Sequence, residues 1–325
     1  MYSLSRLLLF ALVAAALPAA ADQQITLGKG DAPPVLELDG EYRVIGTLLN
    51  AFPVDAEGNT LDQRAVFDQR LRAGIHLDYR RLRVGTEWDL FTGQLFGDTW
   101  DFELDERRRY VKSVIARESF LPRRAAATLT WPFLTVEAGL ICSHWGLGVM
   151  ANDGDHDPMF GRADFGDRVV RVRVTAKPLY LAKDHPRRDT LHVTGAFDWV
   201  VADDMARHSQ RQRAFQGIFS LLYADAESRR IGIYAVYRHQ TELDEDRSTR
   251  AGAVDLFGQL PIALTSSGWG LVGAAEGAII AGTTDRSTTY THPDQVSVLS
   301  GGAAGVLTVH SPQKPFQVHL RSGVA

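Results

Sequence analysis

The chain has 325 residues, a formal net charge of −4, 29 glycines and a single cysteine, Cys142. The near-balanced charge gives no sign of a nucleic-acid binder. The lone cysteine excludes an internal disulfide framework, and past the first 21 residues no run of about 18 apolar residues offers a membrane-spanning helix.

Residues 1–21 read as a secretory signal peptide. Arg6 supplies the positive start, Leu7 to Leu17 (LLLFALVAAAL) the apolar core, and Ala19-Ala20-Ala21 an A-x-A cleavage site. Its removal takes the charge from −4 to −5 through the loss of Arg6. Residues 22–40 are polar, contain Pro33-Pro34, and read as a periplasmic lead or linker. Strand text starts at Glu41 to Asn50, followed by a loop at 51–63 holding Pro53, Gly58 and Asn59.

Phe67 to Phe91 then alternates with period two. Leu71, Ala73, Ile75, Leu77 and Tyr79 share one face with Leu82, Val84, Trp88 and Leu90. Arg70, Arg72, Asp78, Arg83, Glu87 and Asp89 share the other. A hairpin turning at Arg80-Arg81 sets apolar against apolar, Asp78 against Arg83 and Arg72 against Asp89, as cross-strand pairing favours. Arg-Arg suits a type I′ turn poorly, so the connection is expected to run one or two residues longer.

After a polar connection at 92–123, in which Tyr110 to Glu118 fits a short amphipathic helix or a strand, Arg124 to Cys142 repeats the logic. A turn at Pro132-Phe133 pairs Trp131 with Leu134, Leu129 with Val136, Ala127 with Ala138 and Ala125 with Leu140. Thr130 then meets Thr135, and Thr128 meets Glu137. Residues 143–167 are rich in glycine and aspartate. Further strands are expected at Arg168 to Ala176, Leu191 to Val201, Arg213 to Ala224, Arg230 to Gln240, Arg250 to Gly258, Gly270 to Gly282, Ser300 to Val309 and Phe316 to Gly323.

The connections alternate between short (80–81, 132–133, 225–229, 310–315, with 177–190 and 259–269 longer) and long (51–63, 92–123, 143–167, 202–212, 241–249, 283–299). Short periplasmic turns and long outer loops are the habit of outer-membrane barrels. The expected fold is therefore all-β, an antiparallel transmembrane β-barrel over 41–325 with long outer loops at 92–123 and 143–167. About 12–14 strands are visible. The count of 13 is odd and the text ends in mid-strand at HLRSGVA, which implies a barrel incomplete at its C-terminus. Tyr79, Trp88, Trp131, Trp199, Tyr223 and Tyr237 are expected in aromatic girdles, and Trp145 within Trp145-Gly146-Leu147-Gly148 at the membrane interface.

With its signal peptide, the charged hairpin Arg70–Asp89 and the segment Glu137–Ala151 (EAGLICSHWGLGVMA), the chain resembles bacterial outer-membrane porin-type β-barrels, the broad group that includes alginate-export-like proteins. The resemblance implies a channel or export role in the outer membrane. Small hydrophilic solutes or a secreted polysaccharide would pass, and outer-membrane lipid and the barrel-assembly machinery would be partners. No cofactor and no chemistry are expected. The lumen charges would be Arg70, Arg72, Asp78, Arg83, Glu87, Asp89, Glu137, Arg171, Arg173, Asp198 and Arg238, with Asp68 and Glu276 on the same wall. Six arginines against seven acids there read mostly as cross-strand pairs that stiffen the wall.

Weaker patterns compete in the acidic loop. Asp153, Asp155 and Asp157, with Asp164, imitate calcium-loop spacing, but Pro158 stands where such a loop needs glycine. Ser143-His144 lacks a G-x-S-x-G elbow, so no enzyme is expected there; His144 and His156 match no zinc spacing. The competing class is a soluble periplasmic or surface β protein that binds carbohydrate or protein, with its apolar faces packed sheet on sheet.

Overall fold

Period-two alternation becomes strand pairing almost throughout a computed structural model of the chain, which describes residues 19–29, 32–53, 60–61, 64–97, 118–154, 166–182, 184–203, 206–225, 229–243, 247–264, 269–285, 295–311 and 317–324. The strands are β1 (Ala19–Thr26), β2 (Val35–Leu49), β3 (Phe52–Pro53), β4 (Thr60–Leu61), β5 (Arg64–Tyr79), β6 (Leu82–Gly97), β7 (Glu118–Trp131), β8 (Leu134–Ile141), β9 (Arg168–Ala176), β10 (Leu191–Ala202), β11 (Gln212–Ala224), β12 (Arg230–Glu242), β13 (Arg247–Leu264), β14 (Gly270–Thr284), β15 (Val296–His310) and β16 (Gln317–Val324). β3 and β4 form a separate two-stranded hairpin. The other 14 make one antiparallel sheet in chain order, which is not closed into a barrel.

The chain divides into two compact units, residues 1–79 with 85–123 and residues 80–84 with 124–325. In the first, β2 lies between β1 and β5, with Leu36 opposite Leu77, Leu38 opposite Ile75 and Tyr42 opposite Leu71. Pairing here starts earlier than the alternation suggested. β1 and the start of β2 occupy 22–40, which reads as a lead in the sequence, and β1 begins inside the expected leader. β1 also raises the count from 13 to 14, an even number.

In the second unit the predicted β7–β8 register is realised pair by pair, from Trp131 opposite Leu134 to Ala125 opposite Leu140, with Thr128 opposite Glu137. β11 and β12 pair as a hairpin with Phe219 opposite Ala235 and Leu221 opposite Ile233. β13 runs well past the expected Arg250 to Gly258. The connection after β5 stays at two residues rather than lengthening, because Arg80 adopts the left-handed region at φ 57°. The expected helix or strand at Tyr110 to Glu118 falls outside the described residues except for its last position, Glu118, where β7 begins.

Burial is inverted relative to a water-soluble sheet. On β9 and, past Arg250, on β13 the exposed residues are apolar, with Val172 at 54% and Leu256 at 59%, while Asp198 on β10 and Asp255 on β13 are 0% exposed. β11 alternates strictly: Phe215, Phe219 and Leu221 are exposed, whereas Ala214, Ile218 and Ser220 are buried. A side chain of that size forgoes roughly 1.5–3 kcal/mol when it stays in water. Burying ions costs more unless they are paired, and the buried face is organised around that requirement.

Candidate functional site

From β8 to β10 the charged face of the second unit is a set of hydrogen-bonded ion pairs. Alternation places Glu137 on β8, Arg171 and Arg173 on β9 and Asp198 on β10 along one side, and the register sets Glu137 opposite Arg173 and Arg171 opposite Asp198. Arg171 donates two hydrogen bonds to the Asp198 carboxylate, both 2.6 Å. This is the planar fork that suits a buried pair. Glu137 accepts from Arg173 on one oxygen and from Arg124 at 2.8 Å on the other. Thr175 and Thr194 share a hydrogen bond of 2.9 Å. The Arg238 guanidinium bonds the Asp203 carboxylate and the Gln240 side chain, the latter at 2.7 Å. Neither Arg124 nor Asp203 was among the expected wall charges.

The charged face of the first unit is built from three strands rather than one hairpin. The predicted opposition of Arg72 and Asp89 is realised as a buried pair with bonds of 2.7 and 3.3 Å. Arg70, also buried, reaches Glu41 on β2 at 2.9 Å, and Arg43 reaches the same carboxylate at 2.8 Å. Buried His76 lies 3.1 Å from Asp39 and 3.9 Å from Glu87. The sequence had Glu87 on this face but gave it no partner. Asp78 is half-buried and Arg83 exposed.

One segment departs from its expected place. Residues 142–154, after β8, do not put Trp145 at a membrane interface. The indole is buried against Tyr234 of β12, with ring centroids 5.4 Å apart, and against Phe257 of β13 at 6.5 Å, joined by Ala151 and Ile218. Its Nε1 donates to Asp255 at 3.1 Å. The Leu147 backbone N–H donates to Glu276 Oε2, and the Val149 N–H donates to Glu276 Oε1 at 3.1 Å. Gly146 (φ 56°) and Gly148 (φ 82°) flank Leu147 in the left-handed region. That alternation turns backbone N–H groups toward one point and makes an anion-binding nest. Glu276 occupies it so closely that a Cβ on Gly146 would stand 2.3 Å from Oε2. Trp145 N–H to Ala151 at 3.0 Å and Gly148 N–H to Trp145 at 2.9 Å close the segment on itself. Chain leaving β8 is thus latched to β14, six places along the sheet, across the polar face of the strands between.

No family model, curated protein or solved structure matches the chain. The geometry therefore has to carry the functional reading.

Of the acidic loop, Asp155, Asp157 and Asp164 lie outside the described residues, as does His156. Asp153 stands 3.8 Å from His144 Nδ1, longer than a hydrogen bond. The aromatic residues expected in girdles divide. Tyr79, Trp88, Trp199 and Tyr237 are exposed on the apolar face, and Trp131 and Tyr223 are half-buried. Asp255 was not singled out in the sequence. Its signal was present: a lone acid in step with Ala253 and Phe257, all three buried.

Proposed function

We propose that the chain is an outer-membrane β-barrel channel for hydrophilic solutes, with residues 142–154 as the element that narrows the passage. The observation that carries this reading is the inverted burial. Charges are sheltered on one face, many of them in ion pairs, and large apolar side chains stand exposed on the other. Such a sheet is matched to lipid outside and water inside. The strand lengths fit: β10 to β12 run 12 to 13 residues, and about 9–11 residues suffice to cross a bilayer when tilted. The even number of strands in the sheet supports the same reading, as do connections that are mostly longer at one end, with 243–246 and 177–190 the exceptions. Lipid tolerates no unpaired strand edge, so the reading requires the free edges of β1 and β16 to be paired in the membrane.

The test is envelope fractionation of the full-length protein followed by carbonate extraction and planar-bilayer recording. Retention in the outer membrane and discrete conductance steps are expected. Recovery in the soluble periplasm would overturn the membrane reading, and a retained protein that conducts at no voltage would overturn the channel.

A further inference from the structure

Across β9 to β14 the strand carboxylates keep to one face, while arginines lie on both. The strand carboxylates Asp198, Glu242, Asp255 and Glu276 all fall on the buried side of the alternation. Three arginines fall on the exposed apolar side. Arg168 is in step with Val170 and Val172, Arg213 with Phe215 and Phe219, and Arg250 with Val254 and Leu256. All three sit at the end of the sheet where β9, β11 and β13 begin.

The register joins them. Val170 lies opposite Trp199, Trp199 opposite Phe215, Phe215 opposite His239, and His239 opposite Arg250. Arg168 and Arg213 stand one step further toward the same end. The Trp199 and Phe215 rings lie 6.2 Å apart, directly below this ledge. Among the described residues none of the three guanidiniums is ion-paired, whereas Arg171 and Arg173 on the opposite face both are.

We infer that this ledge binds the phosphate groups of a phosphorylated glycolipid in the outer leaflet. The inference rests on the membrane reading above. An arginine on a lipid-facing surface is costly at mid-bilayer and favourable at headgroup level, and guanidinium forks match phosphate oxygens. The aromatic and aliphatic residues below continue the apolar face that acyl chains would cover. This end of the sheet carries the longest connection, 142–167, although β12 and β13 are joined there by only 243–246, and long connections belong outside the cell in such barrels. An acidic protein partner would account for the arginines but not for the apolar face that continues from them.

The experiment is native mass spectrometry of the full-length protein in detergent micelles. The probes are diphosphorylated lipid A, its monophosphorylated form, phosphatidylglycerol and phosphatidylcholine. Diphosphorylated lipid A should be retained at least tenfold more than phosphatidylcholine. The R213Q/R250Q variant should lose that preference, R213K/R250K should keep most of it, and R80Q/R81Q at the other end should be unchanged. Migration that shifts on boiling confirms that each variant is folded. Equal retention by wild type and R213Q/R250Q would overturn the site, and phosphatidylglycerol held as well as lipid A would overturn the glycolipid assignment. A chain that stays soluble without detergent would instead overturn the membrane reading beneath it.

Discussion

The two units solve the same problem in opposite senses. In the second, the acid lies beneath the base. Glu137 is 1% exposed under Arg124 and Arg173, whose side chains are 41% and 38% exposed. In the first, the base lies beneath the acid, with Arg70 at 2% under Glu41 at 26%. His76 under Asp39 repeats that order. A count of charges on the polar face, nearly balanced between acids and arginines, hides this difference. What a face presents to water depends on which partner of each pair is buried. Around Glu137 the second unit presents guanidinium, and at Glu41 and Asp39 the first presents carboxylate, while Arg72 and Asp89 are equally buried.

The largest expected effect comes from breaking the pair with no access to water. Asp198→Ala leaves Arg171 buried without the carboxylate that takes both its hydrogen bonds. Such a loss costs about 3–5 kcal/mol. The urea midpoint of the folded protein should fall accordingly, while Asp198→Asn, which keeps one acceptor, should cost less. Equal midpoints for wild type and Asp198→Ala would show that water reaches Arg171 and that the face is not sheltered there.

Next in size is the carboxylate that serves two bases. Glu137→Gln should destabilise by more than Arg173→Ala does. Removing Arg173 takes away a partly exposed partner, worth about 0–1 kcal/mol, and leaves Glu137 bonded to Arg124. A double-mutant cycle on Glu137 and Arg173 measures the coupling. At Arg70 and Glu41 loss of the acid should again hurt most, here because it strips the buried base of its Glu41 partner.

These contrasts bear on what the sequence can reveal. Hairpin register was legible because the two chains are adjacent and a one-residue slip would set charge against an apolar side chain. Leu129 with Val136 and Arg72 with Asp89 follow from that alone. Partners from a third strand were not legible. Arg70 takes Glu41 from β2, and Glu137 takes Arg173 from β9. The strand β1 was hidden because Ala19-Ala20-Ala21 also reads as a cleavage site. The latch was least legible. Two of its donors are backbone N–H groups, which leave no side-chain signature, and its acceptor lies on a strand more than 120 residues further on. Gly-Leu-Gly signalled a bend but not what the bend would enclose.

The latch predicts a smaller effect on stability and a clear one on passage. Gly146→Ala adds a Cβ where Glu276 Oε2 stands and forces a left-handed φ on alanine. The backbone part costs about 1–2 kcal/mol, and the carboxylate must also withdraw. In the proposed channel the segment should loosen, so single-channel conductance should rise and its noise increase. Glu276→Ala should act in the same direction by removing the acceptor of two N–H groups. Conductance unchanged by both variants would place the segment outside the conducting path.

The smallest effect returns to the opposed faces. In the proposed channel a solute meets the exposed partner of each pair, so selectivity should move with that partner rather than with net charge. Arg173→Gln should shift the reversal potential in a salt gradient by a few millivolts toward cations, a modest change because one guanidinium among many acts through screened water, over about 8–10 Å at physiological salt. Glu41→Gln should shift it the other way by a similar amount, since it uncovers Arg43 and Arg70. Raising the salt tenfold should shrink both shifts together. Arg171→Gln changes the formal charge as much as Arg173→Gln does, but its guanidinium is turned onto Asp198 and only 6% exposed. Its loss should appear in stability, with a selectivity shift smaller than that of Arg173→Gln. If the two shift selectivity equally, burial does not decide which charge a passing ion meets.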